Sequence, residues 1–100
     1  MAYEVEIVST ALEELKAIKP FHRRQIADAI DAHLPFEPSV ETRNRKRMVG
    51  AKPGFEHLPP IWELRVGSFR VLYDIDESVS LVTVRSIREK PPHLQTEDIL

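Results

Sequence analysis

Polar and apolar residues alternate at the start of the chain. Tyr3, Val5 and Ile7 interleave with Glu4 and Glu6. A period of two predicts a short strand with one buried face. The period then lengthens. Leu12, Leu15 and Ile18 fall near one helical stripe, and Thr10 and Glu13 have the spacing of a capping box. Pro20 closes this helix and suits the first position of the next, where its missing N–H goes unmissed. Ile26, Ala29, Ile30, His33 and Leu34 keep helical spacing until Pro35 and Pro38 stop it. So short a connection predicts an antiparallel helical hairpin.

Past a linker over 35–42 the period returns to two. Residues 43–49 read as a strand with Arg43, Arg45 and Arg47 on one face and Asn44, Lys46 and Met48 on the other. Gly50 to Pro60 is a loop rich in proline and glycine. Three strands follow, at about 61–66, 69–75 and 79–87. Gly67-Ser68 joins the first two, because glycine takes the positive φ of a tight hairpin turn without a Cβ clash. Asp76-Glu77-Ser78 marks the next turn. Pro91-Pro92 ends regular structure, leaving 93–100 as a tail or a short last helix. The expected fold class is α+β in a single domain over residues 1–100: an N-terminal strand, an antiparallel helical hairpin, then a twisted antiparallel sheet.

The hairpin sets the register. A two-residue turn pairs Val66 with Phe69 and Arg65 with Arg70. Like charges directly opposite each other are destabilising, so the pair suggests an anion between them. If Ile75 pairs with Ser80 across the next turn, Arg70 pairs with Arg85 and Val71 with Val84. One face then collects Trp62, Leu64, Val66, Phe69, Val71, Tyr73, Ile75, Val82 and Val84 and can cover the helices. The other carries Glu63, Arg65, Arg70, Leu72, Thr83 and Arg85. Slipping the last strand by one residue would put Arg85 among the apolar residues. The expectation is a row of Arg65, Arg70 and Arg85.

Charge and composition sharpen this. The net charge is −2, but residues 1–42 hold 4 Lys/Arg against 8 Asp/Glu, and residues 43–96 hold 10 against 6. A basic half suits a polyanion. Guanidinium groups are permanent cations that bind phosphate in bidentate fashion; Arg45, Arg47, Arg88 and Lys90 can extend the row. The other reading is a salt-bridge network with Glu63, Asp74 and Glu89. His93 can act as a general acid or base near neutral pH, or stand as an exposed tail residue. His33 lies on an apolar helix side and reads as packed. With no cysteine, disulfides, thiolate metal sites and a cysteine nucleophile are excluded. The histidines show no metal-ligand spacing. No apolar run is long enough to span a membrane, and the N-terminus does not read as a signal peptide. A cytoplasmic protein without membrane contact is the expectation.

Trp62-Glu63-Leu64-Arg65-Val66-Gly67-Ser68-Phe69-Arg70-Val71-Leu72-Tyr73-Asp74-Ile75-Asp76, followed by Val82-Thr83-Val84-Arg85, resembles the RelE/ParE superfamily of bacterial type II toxins. The order of elements agrees over roughly residues 3–90. The resemblance implies a toxin neutralised by a cognate antitoxin protein. Its RelE-like branch implies a metal-free, cofactor-free endoribonuclease that cuts mRNA on the ribosome. There Arg70 would hold the scissile phosphate, Arg65, Arg85 and Arg88 would bind RNA with Arg45 and Arg47, and Lys90 or His93 would move protons. Its ParE-like branch implies a non-enzymatic inhibitor of DNA gyrase. The endoribonuclease is the leading expectation; the alternatives are the gyrase inhibitor and a weakly toxic member that only binds an antitoxin. Two positions depart from the RelE-like pattern: Glu63 stands where lysine is frequent, and no tyrosine follows the last strand.

Overall fold

A computed structural model describes residues 2–100. Strand β1 (Glu4–Ile7) leads into helices α1 (Ser9–Lys16) and α2 (Pro20–His33). Strands β2 (Arg45–Met48), β3 (Ile61–Val66), β4 (Phe69–Asp76) and β5 (Leu81–Glu89) follow, then a 3₁₀ turn at Thr96–Ile99. The strands form one sheet in the order β1-β5-β4-β3-β2. Strands β2 to β5 are antiparallel neighbours, as expected, whereas β1 joins β5 in parallel. The helical hairpin and the β2–β4 meander lie between them in sequence, so the sheet is mixed.

The helices cover one face. Ala11 and Leu15 of α1 and Ile26 and Ile30 of α2 are buried against Trp62, Leu64, Val71, Tyr73, Val82 and Val84. The stripe of α1 is rotated from the expected one: Ala11 is fully buried and Leu12 is exposed. The expected capping box is also absent. Val8 occupies the N-cap without a side-chain cap bond. Its amide donates to Val84 O at 3.1 Å, and its carbonyl accepts from Leu12 at 2.9 Å. The sheet bond places Val8 at the cap, so the helix starts one residue before Thr10 could serve.

The hairpin follows the expected register, with Val66 opposite Phe69 and Arg65 opposite Arg70. Gly67 has φ +59°, the left-handed conformation that the turn requires. Strand β5 departs from expectation. Ile75 pairs with Val82, two residues beyond Ser80, and Tyr73 pairs with Val84. A β-bulge between Leu72 and Tyr73 then moves the partners again, so Leu72 faces Ser86 and Arg70 faces Arg88. A bulge inserts one unpaired residue and bends its strand; here that residue is Arg85. The shift also turns Ile87 into the main core, where it is 2% exposed.

The face away from the helices is covered rather than open. Met48, Ile61 and Leu72 form a second small cluster, packed by Ala51 and Phe55 of the β2–β3 loop and by Leu100. Strand alternation puts Leu72 on an open basic face, yet it is fully buried. The cause lies in residues 50–60 and 96–100, which fold over it. No helix among the described residues is long and apolar enough to cross a membrane.

Candidate functional site

The arginine row exists with different membership. Arg65, Arg70 and Arg88 lie side by side on β3, β4 and β5, and Arg85 is displaced by the bulge. Each of these side chains has a partner within the protein. Arg65 pairs through Nε with Glu63 Oε1 at 3.0 Å; Glu63's side chain is 2% exposed and that of Arg65 47%. Arg70, 8% exposed, donates through Nη1 to Gly67 O and Phe69 O, both at 2.8 Å. It thereby clamps the hairpin turn. Its Nε and Glu63 Oε2 are buried with no hydrogen-bond partner among the described residues. Burial pulls the Arg70 pKa down; the Glu63 carboxylate opposes that shift and the Arg65 cation adds to it.

Arg85 pairs with Asp74 at 2.8 Å. Asp74 Oδ2 also accepts the Leu58 amide at 2.7 Å, which pins the covering loop to the sheet. Asp74 is 1% exposed. The sequence offers Asp74 as one of three carboxylates able to pair with the arginines, and the structure gives it Arg85.

Arg88 donates through Nε to Ser86 Oγ at 2.8 Å and lies 3.7 Å from Glu14 Oε2. It also bonds Ile99 O and stacks over Phe55 at 5.3 Å. Glu14 carries no signal in the sequence beyond its helical position. Strand β1 ends opposite Val84, so the edge of β5 beyond it has no strand neighbour. Glu14 fills that gap and accepts the Ile87 amide at 3.1 Å. An unpaired buried amide would otherwise cost about 1–3 kcal/mol.

The remaining sequence candidates scatter. Lys90 Nζ donates to Leu94 O at 2.8 Å, tying down the C-terminal segment. His93 is exposed on that segment. Arg45 and Arg47 face the helix side of the sheet, opposite Leu64 and Trp62, and do not join the row. Arg45 is buried and donates to Val40 O at 3.0 Å, with His33 Nδ1 at 3.3 Å. Burial first, then the Arg45 cation, holds the His33 pKa below its ordinary value. Of the three carboxylates expected as internal partners, Glu63 and Asp74 fill that role. Glu89 instead accepts from Ser68 Oγ at 3.3 Å.

The strand order and the hairpin geometry have counterparts in known proteins. The family described as ParE toxin of type II toxin-antitoxin system, parDE, matches residues 5–91. The chain belongs to this toxin family. No curated protein matches the sequence. Among solved structures this toxin is similar to a chain of the RelBE2 toxin–antitoxin complex from Mycobacterium tuberculosis. The TM-score is 0.70 at 21% identity, over 90% of this chain and 100% of that one. A chain of the archaeal RelE–RelB complex from Pyrococcus horikoshii gives 0.70 at 18% identity, over 92% and 99% of the two chains. The isolated RelE toxin of E. coli gives 0.70 at 20% identity, over 90% and 86%. At these identities the likeness is one of fold, and it extends to the whole α+β arrangement.

Proposed function

We propose that this toxin is held in check by a separate antitoxin protein and inhibits growth by binding a macromolecular target, not by cutting RNA. The observation that carries this reading is Glu63. Its buried carboxylate lies two residues along β3 from Arg65, on the same face as Arg65 and Arg70, and pairs with Arg65 at 3.0 Å. A phosphate clamp needs guanidinium donors that are free and pre-aimed at the charge that develops. Buried Asp74 takes Arg85 at 2.8 Å, and half-exposed Glu14 lies 3.7 Å from Arg88. The row is largely neutralised from within. The ParE branch of the superfamily makes DNA gyrase the target to test first.

One observation favours the other branch, a ribosome-dependent endoribonuclease acting on mRNA. Arg70 Nε is buried without an acceptor, a donor that a phosphate oxygen could take. The two readings separate in one experiment. The chain is induced without an antitoxin in a bacterial host, and plasmid supercoiling and mRNA 5′ ends are followed together. Loss of supercoiling with intact mRNA is the expected result. Cleavage of ribosome-bound mRNA that Arg70→Ala abolishes would overturn it. Normal growth at high expression of folded protein would count against toxicity by either route.

A further inference from the structure

Residues 1–42 hold only 4 Lys/Arg, and all of them lie between Lys16 and Arg24 with no carboxylate among them. This segment is the tip of the helical hairpin. Lys16 ends α1, where a cation offsets the helix dipole. Lys19 is the N-cap of α2, whose first turn contains no acidic residue, and Arg24 lies in the second turn. Cations are unfavourable at a positive helix end, so helix stability does not account for Lys19. Neither Lys19 nor Arg24 enters an ion pair among the described residues.

Aromatic rings interleave with these charges. Phe21 is 70% exposed. It meets His22 edge-on at 5.4 Å, and His22 meets buried Phe69 at 5.3 Å. The three rings step from solvent to the hairpin end of the sheet. Beside them lies a cleft of about 350 Å³ lined by Ile18, Lys19, His22, Phe69, Ile87 and Glu89, within the roughly 300–1,000 Å³ of small-ligand sites. An exposed ring beside an open cleft, with Lys19 on the cleft wall and Arg24 further along α2, offers the elements of single-stranded nucleic acid recognition, in which bases stack and phosphates pair.

We infer that the hairpin tip binds a single strand of nucleic acid, with one base stacked on exposed Phe21 and adjacent phosphates at Lys19 and Arg24. Glu89 in the cleft wall accepts from an exocyclic amine, as carboxylates do from cytosine N4. Cytosine is therefore favoured over thymine. This site lies apart from the Arg65–Arg70–Arg88 row and stands whichever target the toxin inhibits.

The test is fluorescence anisotropy of the purified full chain with labelled oligo-dC and oligo-dT of about twelve nucleotides, a length in the site range of single-strand binders. Oligo-dC is expected to bind more tightly. Phe21→Ala is expected to weaken it about fivefold or more. Arg24→Glu is expected to weaken both probes and to lower the slope of log affinity against log salt by about 0.7 for each phosphate no longer neutralised. Glu89→Gln is expected to erase the preference for dC. Arg70→Ala is expected to leave binding intact, which separates this site from the row. Both exposed-site variants are checked for folding by circular dichroism. No binding, binding that Phe21→Ala and Arg24→Glu leave unchanged, or equal competition by polyglutamate would overturn the inference.

Discussion

The two faces of the sheet bury their residues by different means. The helix-side face is closed by two amphipathic helices and filled by Leu64, Val71, Tyr73, Val82 and Val84, each fully buried. The opposite face has only a loop and a short C-terminal turn over it, and it buries Glu63 and Asp74 at 1% exposure beside Leu72. Apolar burial is non-directional and tolerates small shifts. Buried charge depends on particular partners, and removing one leaves the other stranded. The helix-side face should therefore degrade gradually under mutation, and the opposite face abruptly.

Asp74→Ala is the largest expected break. It strands Arg85 and frees the Leu58 amide, and a loss of about 3–5 kcal/mol is expected by urea denaturation. Leu64→Ala on the helix-side face is expected to cost about 2–5 kcal/mol, with the pair Arg85–Asp74 preserved. If Asp74→Ala proved milder than Leu64→Ala, the contrast between the faces would fail. Leu72→Ala sharpens the comparison. It empties a cluster closed by only a thin layer that can collapse, so the expected loss lies near 2 kcal/mol, at about the low end for such truncations. Ser86→Ala removes the hydroxyl's bond to Glu14 and the bond it accepts from Arg88 Nε, and is expected to cost about 1–1.5 kcal/mol.

The smallest effect is a pH dependence. The His33 pKa is depressed in the folded protein by burial and by Arg45. Below the unfolded value of about 6.5 the unfolded chain binds more protons at this site. Stability is thus retained above that pH and declines as pH falls through the folded pKa. His33→Gln should flatten that part of the stability profile, measured as the denaturation midpoint from about pH 7 downward.

The legibility of the two faces in the sequence follows the same division. The helix-side strand residues are readable because alternation has a fixed period and places every second residue together. The arginine pair of the hairpin is readable because a two-residue turn sets its own register. The third arginine is not. Arg85 and Arg88 exchange places through a bulge, and nothing in the period of β5 announces one. Asp74 is readable as an arginine partner, but which arginine it takes and that it holds the covering loop are not, because Leu58 and Arg85 lie 16 and 11 residues away. The stripe of α1 differs by one position from its periodicity because Val8 bonds the sheet.

Local chemistry in the sequence determined the helical hairpin, the strand–turn–strand, the pairing of Arg65 with Arg70 and membership of the toxin family. Each rests on residues close together in the chain, where periodicity and turn geometry suffice. The tertiary structure alone decided that β1 joins in parallel, that the bulge expels Arg85 from the row, and that Phe55, Leu58 and Leu100 close over the basic face. It also decided that Glu63, Asp74 and Glu14 neutralise the arginines. Those outcomes depend on contacts between distant segments, and a carboxylate in sequence does not say which guanidinium it will meet.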